Sequence, residues 1–433
     1  MSWRELYEKK RANIEDVLKL IRSNMTIVAG MAASEPQLFL SQLHNAPEDV
    51  ENVNVFTCLN MQNYPFFSEE KNEGRFINNS WFFNAWNREA VKRGLKTVTY
   101  VPNNLHQAAV NLIETRKIDM YVGIASPMDK NGYLTLSLGI TYEKDVIEHA
   151  DLVVLEVNPN APRTHGDTQI HISEVDYILE VDYPIPEITL IEPSETEQKI
   201  GANIAELVED GSTIQIGIGG IPNAVAHFLK EKKDLGVHTE MFTESMINLF
   251  ESGAITNKKK TLWPGKFVCT FALGTRRMYD FIDDNPGILM LRGKIVNDPY
   301  VIAQNEKMVS INTALMVDLT GNVCSEALGT RHFSGTGGQL DTHRGAVKSR
   351  GGKGIIALRS TAKNGTVSTI VPTLPQGAPV TVPRQELDYV VTENGVAHLR
   401  GKTVRERALE LIEIAAEEFR DELKHEAKRL GLI

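Results

Sequence analysis

One stretch of the sequence, residues 211–225, constrains the fold of this chain more than any other. Residues 213–216 are rich in β-branched side chains, which predicts a short buried strand. Three glycines follow within the next four residues, and Pro222 stands where the first turn of a helix would begin. Apolar residues then recur at helical spacing. A strand that turns sharply into a helix is typical of α/β folds, in which strands and helices alternate.

The glycine-rich turn is also a candidate binding site. Gly217 and Gly219 lie between the predicted strand and helix, where backbone N–H groups can point outward with no Cβ in the way. Such a turn can bind an anion or a developing oxyanion. The spacing differs from the dinucleotide fingerprint, because the third glycine of G-x-G-x-x-G is absent. Taken alone, the pattern is better explained as an ordinary tight turn.

A second stretch adds a candidate nucleophile. Residues 236–242 predict another short strand, and Glu240 lies near its carboxyl end. In open α/β sheets, binding sites gather outside the carboxyl ends of the strands. A carboxylate beside a glycine-rich turn has the parts for nucleophilic attack on an acyl group, with backbone stabilisation of the oxyanion. The alternative is that Glu240 is simply one of 56 acidic residues in contact with solvent.

The rest of the chain continues the alternation. A helical pattern at residues 14–21 leads into the first predicted strand. In the first half we expect strands at 26–29, 53–59, 97–101, 120–124 and 152–157. In the second half we expect strands at 213–216, 236–242, 267–273, 288–291, 311–317, 355–358, 367–371, 380–382 and 389–391, and a last helix over 404–430. This order predicts a largely parallel, doubly covered sheet.

A proline-bearing connection at residues 183–193 predicts a domain boundary. After it the chain repeats its own beginning, because residues 26–30 and 213–217 match as strand and glycine at an offset of 187 residues. We therefore expect two related α/β domains, residues 1–186 and 187–433.

Composition narrows the class of protein. The 433 residues are 42% apolar and 24% charged, as in soluble globular proteins. The net charge of −10, with basic residues dispersed, argues against nucleic acid as a partner. Three widely spaced cysteines form no metal-binding pattern and favour a reducing compartment. With neither a signal peptide nor an apolar run of membrane-spanning length, we expect a cytoplasmic protein without a membrane or metal partner.

Several motifs agree in order and spacing with one known family. They occur at residues 156–167, 171–173, 217–225, 236–241, 333–341, 360–363, 370–372, 388–393 and 399–402. On these motifs the chain resembles the acetyl-CoA hydrolase/transferase family, and within it the butyryl-CoA:acetate and 4-hydroxybutyrate CoA-transferases. The resemblance covers nearly the whole chain.

The resemblance implies a class I CoA-transferase fold of the NagB/RpiA/CoA-transferase-like type, with two related α/β domains and the active site between them. It implies transfer of CoA between short-chain carboxylic acids by a ping-pong mechanism, with Glu240 as the nucleophile that carries a glutamyl-CoA thioester. The residues implied for the CoA and oxyanion region are Gln215, Ile216, Gly217, Ile218, Gly219, Gly338 and Lys363. Coenzyme A would be a co-substrate, no tightly bound cofactor is implied, and a homo-oligomer of at least two chains is expected.

The sequence constrains the identity of the carboxylic acid substrates less than it constrains the reaction. Met31 and Met128 stand where the family often has His and Pro, which favours an apolar pocket and short monocarboxylates. The polar residues Asn103, His106 and Gln107 favour the itaconate or succinate type instead. Two further interpretations of the whole chain stay open, an acyl-CoA hydrolase with the same nucleophile and a nucleotide-binding protein without covalent chemistry.

Three further polar residues lie in a family motif without an evident role. Arg163, His165 and Asp167 could orient a substrate, but an interdomain salt-bridge cluster is the interpretation we favour over direct catalysis.

Overall fold

The computed structural model describes residues 2–433. The chain forms two compact units, of which the first comprises Met1–Ile188 with Cys269–Val296 and the second Thr189–Val268 with Asn297–Ile433. The first unit thus takes in a segment that the sequence prediction placed in the second half. The division into domains 1–186 and 187–433 stays a prediction.

The first unit is built on a parallel sheet of seven strands. In chain order these are β1 (Thr26–Ala29), β2 (Val53–Thr57), β3 (Phe76–Ser80), β4 (Val98–Tyr100), β5 (Ile118–Ala125), β6 (Ala150–Val157) and β7 (Tyr177–Glu180). Their spatial order is β4-β3-β2-β1-β5-β6-β7, and every pairing is parallel. A large apolar core packs against this sheet and includes Ile27, Phe39 and Met120.

The second unit has a sheet of six strands. These are β8 (Thr213–Ile216), β9 (Gly236–Val237), β10 (Met308–Thr313), β11 (Lys353–Ala357), β12 (Tyr389–Thr392) and β13 (Gly395–His398). The spatial order is β9-β8-β10-β11-β12-β13, and only the last pair is antiparallel. Strands β8, β10 and β11 therefore present their carboxyl ends at one edge, where sites are found in such sheets.

Helices connect the strands in both units. In chain order, α1 to α16 are Trp3–Lys10, Ile14–Leu18, Gln37–Gln42, Pro65–Ser68, Ala85–Lys92, Ala108–Thr115, Glu143–Ile147, Glu195–Leu207, Gly220–Phe228, Glu244–Glu251, Arg276–Ile282, Gly293–Val296, Pro299–Ile302, Gln339–Lys348, Val404–Glu413 and Glu417–Arg429. Shorter strands lie at Tyr133–Thr135, Gln169–His171, Met241–Phe242, Phe267–Cys269, Phe271–Ala272, Ile288–Met290, Met316–Asp318, Val323–Cys324, Ala327–Leu328, Arg331–His332, Thr361–Ala362, Val367–Ser368 and Ile370–Val371. The predicted α/β class with parallel sheets is confirmed.

Several predicted elements are shorter than expected. The last helix is wrong as a single element, because it ends at Glu413 and restarts at Glu417. At the break, Thr392 donates to the carbonyl of Ile414 (2.6 Å) and Asn394 to that of Ala415 (3.1 Å). These side chains satisfy carbonyls that a continuous helix would have bonded internally.

Five predicted strands are wrong in their continuity. Residues 267–273 are divided into Phe267–Cys269 and Phe271–Ala272, and residues 236–242 into β9 and Met241–Phe242. Residues 311–317 are split between β10 and Met316–Asp318, and residues 367–371 form two pairs of strand residues. Residues 380–382 form only an isolated bridge, from Val382 to Val323, just before Pro383. Proline offers no N–H to continue a ladder, which ends the pairing there. Strand β3 was not predicted, because its sequence is Phe-Ile-Asn-Asn-Ser and lacks a clear apolar pattern.

The described residues also bear on membranes and metals. In residues 2–433, no helix has both the length and the apolar character needed to cross a membrane. Nor do three or more His, Cys, Asp or Glu side chains gather as a metal site within that part of the chain.

Candidate active site

The turn after β8 has the predicted form. Strand β8 ends at Ile216, the glycines follow, and helix α9 begins at Gly220 with Pro222 in its first turn. Gly219 has φ of 115°, in the left-handed region that favours glycine. Ile218, at the tip of the turn, is 45% exposed. The turn therefore presents its backbone and one apolar side chain at the carboxyl edge of the sheet.

The two predicted residues within β8 are buried. Ile216 is 1% exposed, so its side chain belongs to the core and only its backbone is left for the predicted role. Gln215 is 4% exposed, and its Oε1 accepts hydrogen bonds from Ser310 (2.8 Å) and Asn312 (3.3 Å). Asn312 Nδ2 also donates to Thr342 Oγ1 on α14 at 3.1 Å, and the Ser310 and Thr342 hydroxyl oxygens lie 3.0 Å apart. This polar cluster ties β8 and β10 to α14.

Glu240 lies at a bend, not in a continuous strand. The predicted strand 236–242 is wrong in this respect, because it is divided into β9 and Met241–Phe242 with Glu240 between them. The bend turns the side chain toward the start of α14. There Asn297, which is fully buried, donates through Nδ2 to Glu240 Oε2 at 2.9 Å.

Gly338 packs directly against the candidate nucleophile. A Cβ at this position would lie 1.9 Å from Glu240 Oε2 and 2.1 Å from Asn297 Nδ2, which no side chain could tolerate. Its backbone N–H donates toward the Glu240 carboxylate, and α14 begins at the next residue. The positive end of the helix dipole therefore faces the carboxylate.

This environment changes the acidity of the nucleophile. Desolvation by burial raises the pKa of Glu240 to about 7, and the negative charge of Asp341 acts in the same direction. Hydrogen bonds from Asn297 and Gly338 oppose the rise, because they favour the charged form. As a whole residue Glu240 is half-buried, so it is not sealed within the core although its carboxylate is largely dehydrated. A more basic, accessible carboxylate is a better nucleophile than an ordinary surface glutamate.

The loop that carries Gly338 is held in place by hydrogen bonds to Glu326. The N–H groups of Phe333 (2.7 Å) and Ser334 (3.1 Å) donate to the carbonyl of Glu326, and Thr336 Oγ1 donates to the Glu326 carboxylate at 2.7 Å. Glu326 is 6% exposed. The glycine loop is therefore fixed relative to the core of its unit.

A groove of about 390 Å³ runs along the carboxyl ends of β8, β10 and β11. It is lined by Ile218, Gly219, Leu315, Leu358, Arg359 and Lys363, among others. Glu240 and Gly338 are outside this lining, but Gln339 donates to the carbonyl of Thr313 (3.2 Å), which does line it. The structure thus brings the predicted residues together as two neighbouring groups, one around Glu240 and one in the groove.

Arg163, His165 and Asp167 lie in the first unit and form ion pairs. Arg163 pairs with Asp129 (2.8 Å), and His165 with Asp284 (3.0 Å). Asp167 lies 3.9 Å from Arg292, which also binds Asp145 and Glu148 at 2.6 Å each. Asp284 and Arg292 belong to the same unit as their partners, because Cys269–Val296 is part of the first unit, so the interdomain placement of this salt-bridge cluster stays a prediction.

Sequence reasoning missed Asn297, Arg359 and the Ser310–Asn312–Thr342 group. Asn297 precedes Asp298 and Pro299, a pattern that indicates only a helix start. Nothing in its neighbourhood points to Glu240, which is 57 residues away.

Comparison with known families decides where the chain belongs. The model of the acetyl-CoA hydrolase/transferase N-terminal domain matches residues 1–188, and that of the C-terminal domain matches residues 274–427. The chain belongs to the acetyl-CoA hydrolase/transferase family. It is an enzyme of the CoA-transferase type, which overturns the interpretation as a nucleotide-binding protein without covalent chemistry.

Relatives are similar to this family member over its full length. Succinyl-CoA:cyclohexane-1-carboxylate CoA transferase of Geobacter metallireducens is 44% identical, over 100% of this chain and 98% of the relative. The 4-hydroxybutyrate coenzyme A transferase of Clostridium kluyveri is 42% identical, over 99% of this chain and 100% of the relative. The crystal structure of RipA from Yersinia pestis covers 100% of both chains, with 39% identity and a TM-score of 0.95.

Proposed function

We propose that this CoA-transferase moves coenzyme A between short-chain carboxylic acids by a ping-pong route through a thioester on Glu240. The observation that carries the proposal is the Glu240 carboxylate itself, which is dehydrated, hydrogen-bonded to Asn297 and packed against Gly338. Transfer between acids also agrees with the activities for which the relatives at 44% and 42% identity are named.

In the first half-reaction, Glu240 attacks the carbonyl carbon of the acyl-CoA thioester. Because Asn297 binds Oε2, we assign the attack to Oε1. The tetrahedral oxyanion collapses, the carbon–sulfur bond breaks and CoA leaves as its thiolate, giving a mixed acyl–glutamyl anhydride. Backbone N–H groups of the turn 217–219 and of Gly338 are the candidate donors to the oxyanion.

The thiolate then attacks the glutamyl carbonyl of the anhydride. The first carboxylate leaves, and the enzyme retains a glutamyl-CoA thioester. An incoming carboxylate attacks this thioester and repeats the two steps in reverse. The free energy of the thioester is conserved throughout, since each step exchanges one activated acyl group, thioester or anhydride, for another.

The nucleophile must be ionised to attack. With its pKa near 7, Glu240 is largely ionised above pH 7 and loses its charge as the pH falls below that value. A raised pKa also makes the anhydride easier to form, because a more basic oxygen is a stronger nucleophile toward the acyl-CoA carbonyl.

For the acid substrates we propose short monocarboxylates such as acetate, propionate and butyrate. Met31 and Met128 stand where the family often has His and Pro, and their apolar side chains would leave a second carboxylate without the charged or N–H partner that it needs. Asn103 accepts a hydrogen bond from Asn111 Nδ2 through its Oδ1 at 2.7 Å, and this bond does not use the amide N–H groups by which the itaconate or succinate alternative would bind a carboxylate. Itaconate, succinate and 4-hydroxybutyrate remain alternative substrates, and hydrolysis an alternative reaction.

We also propose that the chain works as a cytoplasmic homo-oligomer of at least two copies and uses CoA as a co-substrate, with no tightly bound cofactor. The cytoplasmic location rests on the sequence pattern, in which neither a signal peptide nor an apolar run of membrane-spanning length was found, and the other parts rest on the resemblance.

The covalent intermediate gives the most direct test. The protein is incubated with butyryl-CoA, reduced with borohydride and digested, and its peptides are mapped by mass. We expect the modification on the peptide that contains Glu240, and none in Glu240→Ala. A Glu231→Gln variant, changed at an exposed glutamate of the same unit, should be modified like the parent.

An acceptor panel tests the choice of acid and of reaction. With acetyl-CoA as donor, butyrate should exceed succinate and itaconate; the opposite order by tenfold, ~1.4 kcal/mol, would overturn the choice of acid. Release of CoA without any acceptor, at a rate near that of transfer, would identify a hydrolase. An unmodified Glu240 peptide in active enzyme would contradict the covalent route.

A further inference from the structure

The glycine loop 333–338 makes its hydrogen bonds to Glu326 at two different places. The N–H groups of Phe333 and Ser334, which bind the Glu326 carbonyl, hold the beginning of the loop. The Thr336 hydroxyl, which donates to the Glu326 carboxylate at 2.7 Å, holds a point only two residues before Gly338. The side chain of Glu326 therefore acts on the part of the loop that approaches Glu240.

The bond between Thr336 and Glu326 is of a strong type and has a firm base. Glu326 is 6% exposed and lies between the short strands Val323–Cys324 and Ala327–Leu328. A hydroxyl that donates to a carboxylate makes a charge-assisted hydrogen bond, about twice as strong as one between neutral groups. Thr336 is itself half-buried, so water competes little for this bond.

The chain between Thr336 and Gly338 has little stiffness of its own. The intervening residue, Gly337, has φ of 53°, and a glycine leaves the backbone wide rotational freedom. Helix α14 holds the other side of Gly338, where the N–H of Thr342 donates to the Gly338 carbonyl at 2.9 Å. The Gly338 N–H, however, belongs to the peptide plane that joins it to Gly337. Its direction therefore depends on how the chain is held at Thr336.

We propose that Glu326 and Thr336 are positioning residues, whose hydrogen bond orients the Gly338 N–H toward the Glu240 carboxylate. The proposal deepens the proposed function and rests on it, because it takes Glu240 as the nucleophile. Both residues act through Gly338, whose N–H donates toward Glu240 and is a candidate donor to the oxyanion. A loss of the bond should therefore affect chemistry more than substrate binding.

A pair of substitutions at Thr336 tests this role. Thr336→Val removes the hydroxyl and keeps the branched shape, so kcat for transfer from butyryl-CoA to acetate should fall about tenfold. KM should change little, because Thr336 is outside the lining of the groove. Thr336→Ser keeps the hydroxyl and should recover most of the loss. Glu326→Gln keeps an acceptor oxygen without its charge, so its kcat should lie between the two.

The pH profile gives a readout that a merely structural role would not move. The Gly338 hydrogen bond favours the charged form of Glu240, whereas the charge of Asp341 disfavours it. In Thr336→Val the first influence weakens and the second stays, so the acidic limb of kcat/KM should move to higher pH. In Thr336→Ser the limb should stay where the parent has it. The double variant with Glu326→Gln should lose less than the sum of the single losses, because both changes act on one bond.

Thr320→Val is the matched control. Thr320 Oγ1 donates to Asp318 Oδ1 at 2.7 Å, so the same kind of bond is lost from a turn of the same unit outside the glycine loop. This variant should have the kcat and the acidic limb of the parent, whatever its melting temperature. If Thr336→Val melts far below the parent, Glu326→Gln answers the same two questions of rate and pH.

An unchanged kcat in Thr336→Val, or a loss of kcat with an unmoved acidic limb, would overturn the proposal. So would an equal kinetic defect in Thr320→Val. Failure of the parent to form the Glu240 thioester is a separate outcome that contradicts the proposed function. Formation of that thioester by a parent whose Thr336 and Glu326 variants behave normally contradicts only the present inference.

Discussion

Three buried glutamates of the first unit can be compared with Glu240 of the second unit. In the first unit, Glu35, Glu143 and Glu156 are at most 1% exposed, and desolvation raises their pKa values to about 8, 7 and 7. In the second unit, Glu240 reaches about the same pKa for the same reason. A raised pKa therefore does not distinguish the candidate nucleophile from the first three carboxylates.

The glutamates of the first unit differ from Glu240 in the number of hydrogen bonds that they accept and in how easily a substrate could reach them. Glu156 accepts from the N–H groups of Leu38 (3.2 Å) and Phe39 (2.7 Å) and from the hydroxyl of Tyr183. Glu35 accepts from Tyr64 (2.6 Å) and Met61 (3.0 Å). These carboxylates are surrounded by donors on neighbouring segments, so they fasten turns of the first unit together.

Glu240, by contrast, has one side-chain donor, one glycine N–H and some contact with solvent. Burial thus sets the basicity of a carboxylate, whereas reactivity also requires an oxygen that a substrate can reach. Substitutions in both units test this distinction, in order of decreasing expected effect.

Removal of the accessible carboxylate should have the largest effect. Glu240→Ala should lower transfer by at least ~10⁴-fold, roughly 5–6 kcal/mol of barrier, because the covalent route is lost. Steady-state transfer from butyryl-CoA to acetate measures it, with the melting temperature as the control for folding. Retention of more than a few per cent of the activity would contradict the assignment.

The second-largest effect is expected from a substitution that crowds the Glu240 carboxylate. Gly338→Val should lower kcat by about 10²–10³-fold, the cost typical of disturbing an oxyanion donor, because its side chain would occupy the space of Glu240 Oε2 and Asn297. Steady-state assays and thermal melts should show a kinetic defect that exceeds the loss of stability. A variant that melts far below the parent, with normal turnover of its folded fraction, would make the loop purely structural.

A glutamate of the first unit should show the opposite pattern. Glu156→Gln replaces one acceptor oxygen with a donor, which leaves one of the N–H or hydroxyl groups around it unsatisfied. We expect the free energy of unfolding to fall by about 2 kcal/mol, with kcat per folded enzyme unchanged. Denaturant titration and active-site-normalised rates separate the two. A large loss of kcat without destabilisation would break the comparison.

The smallest effect concerns the pH profile. The kcat/KM of the parent should fall as the pH drops below about 7, because Glu240 gains a proton there. Asn297→Ala removes a hydrogen bond that favours the charged form, so the acidic limb should move to higher pH. Asn297→Asp adds a like charge and should move it further. An unchanged limb in both variants would mean that the limb reports another group.

The strands that carry the site could be predicted from the sequence more accurately than the contacts made within the site. Strands β1 and β8 have the bounds expected from their β-branched residues and following glycines, which are local signals. The bend at Glu240 was not foreseen, because the strand residues on either side come in pairs too short for a pattern. Asn297 was missed because its contact with Glu240 is made by the tertiary fold across 57 residues of sequence.

The segment Cys269–Val296 has a consequence for biosynthesis. It completes the first unit, yet roughly a hundred residues separate its end from Ile188, and at ~5–20 residues per second a ribosome needs about 5–20 s to make them. During that time Asp145 and Glu148 lack Arg292, and the loop at residues 138–141 lacks its backbone hydrogen bonds with Thr270, Ala272 and Gly293. The amino-terminal portion must therefore wait as an incomplete intermediate while the glycine turn and Glu240 are already emerging, and its maturation is tied to the synthesis of the other half.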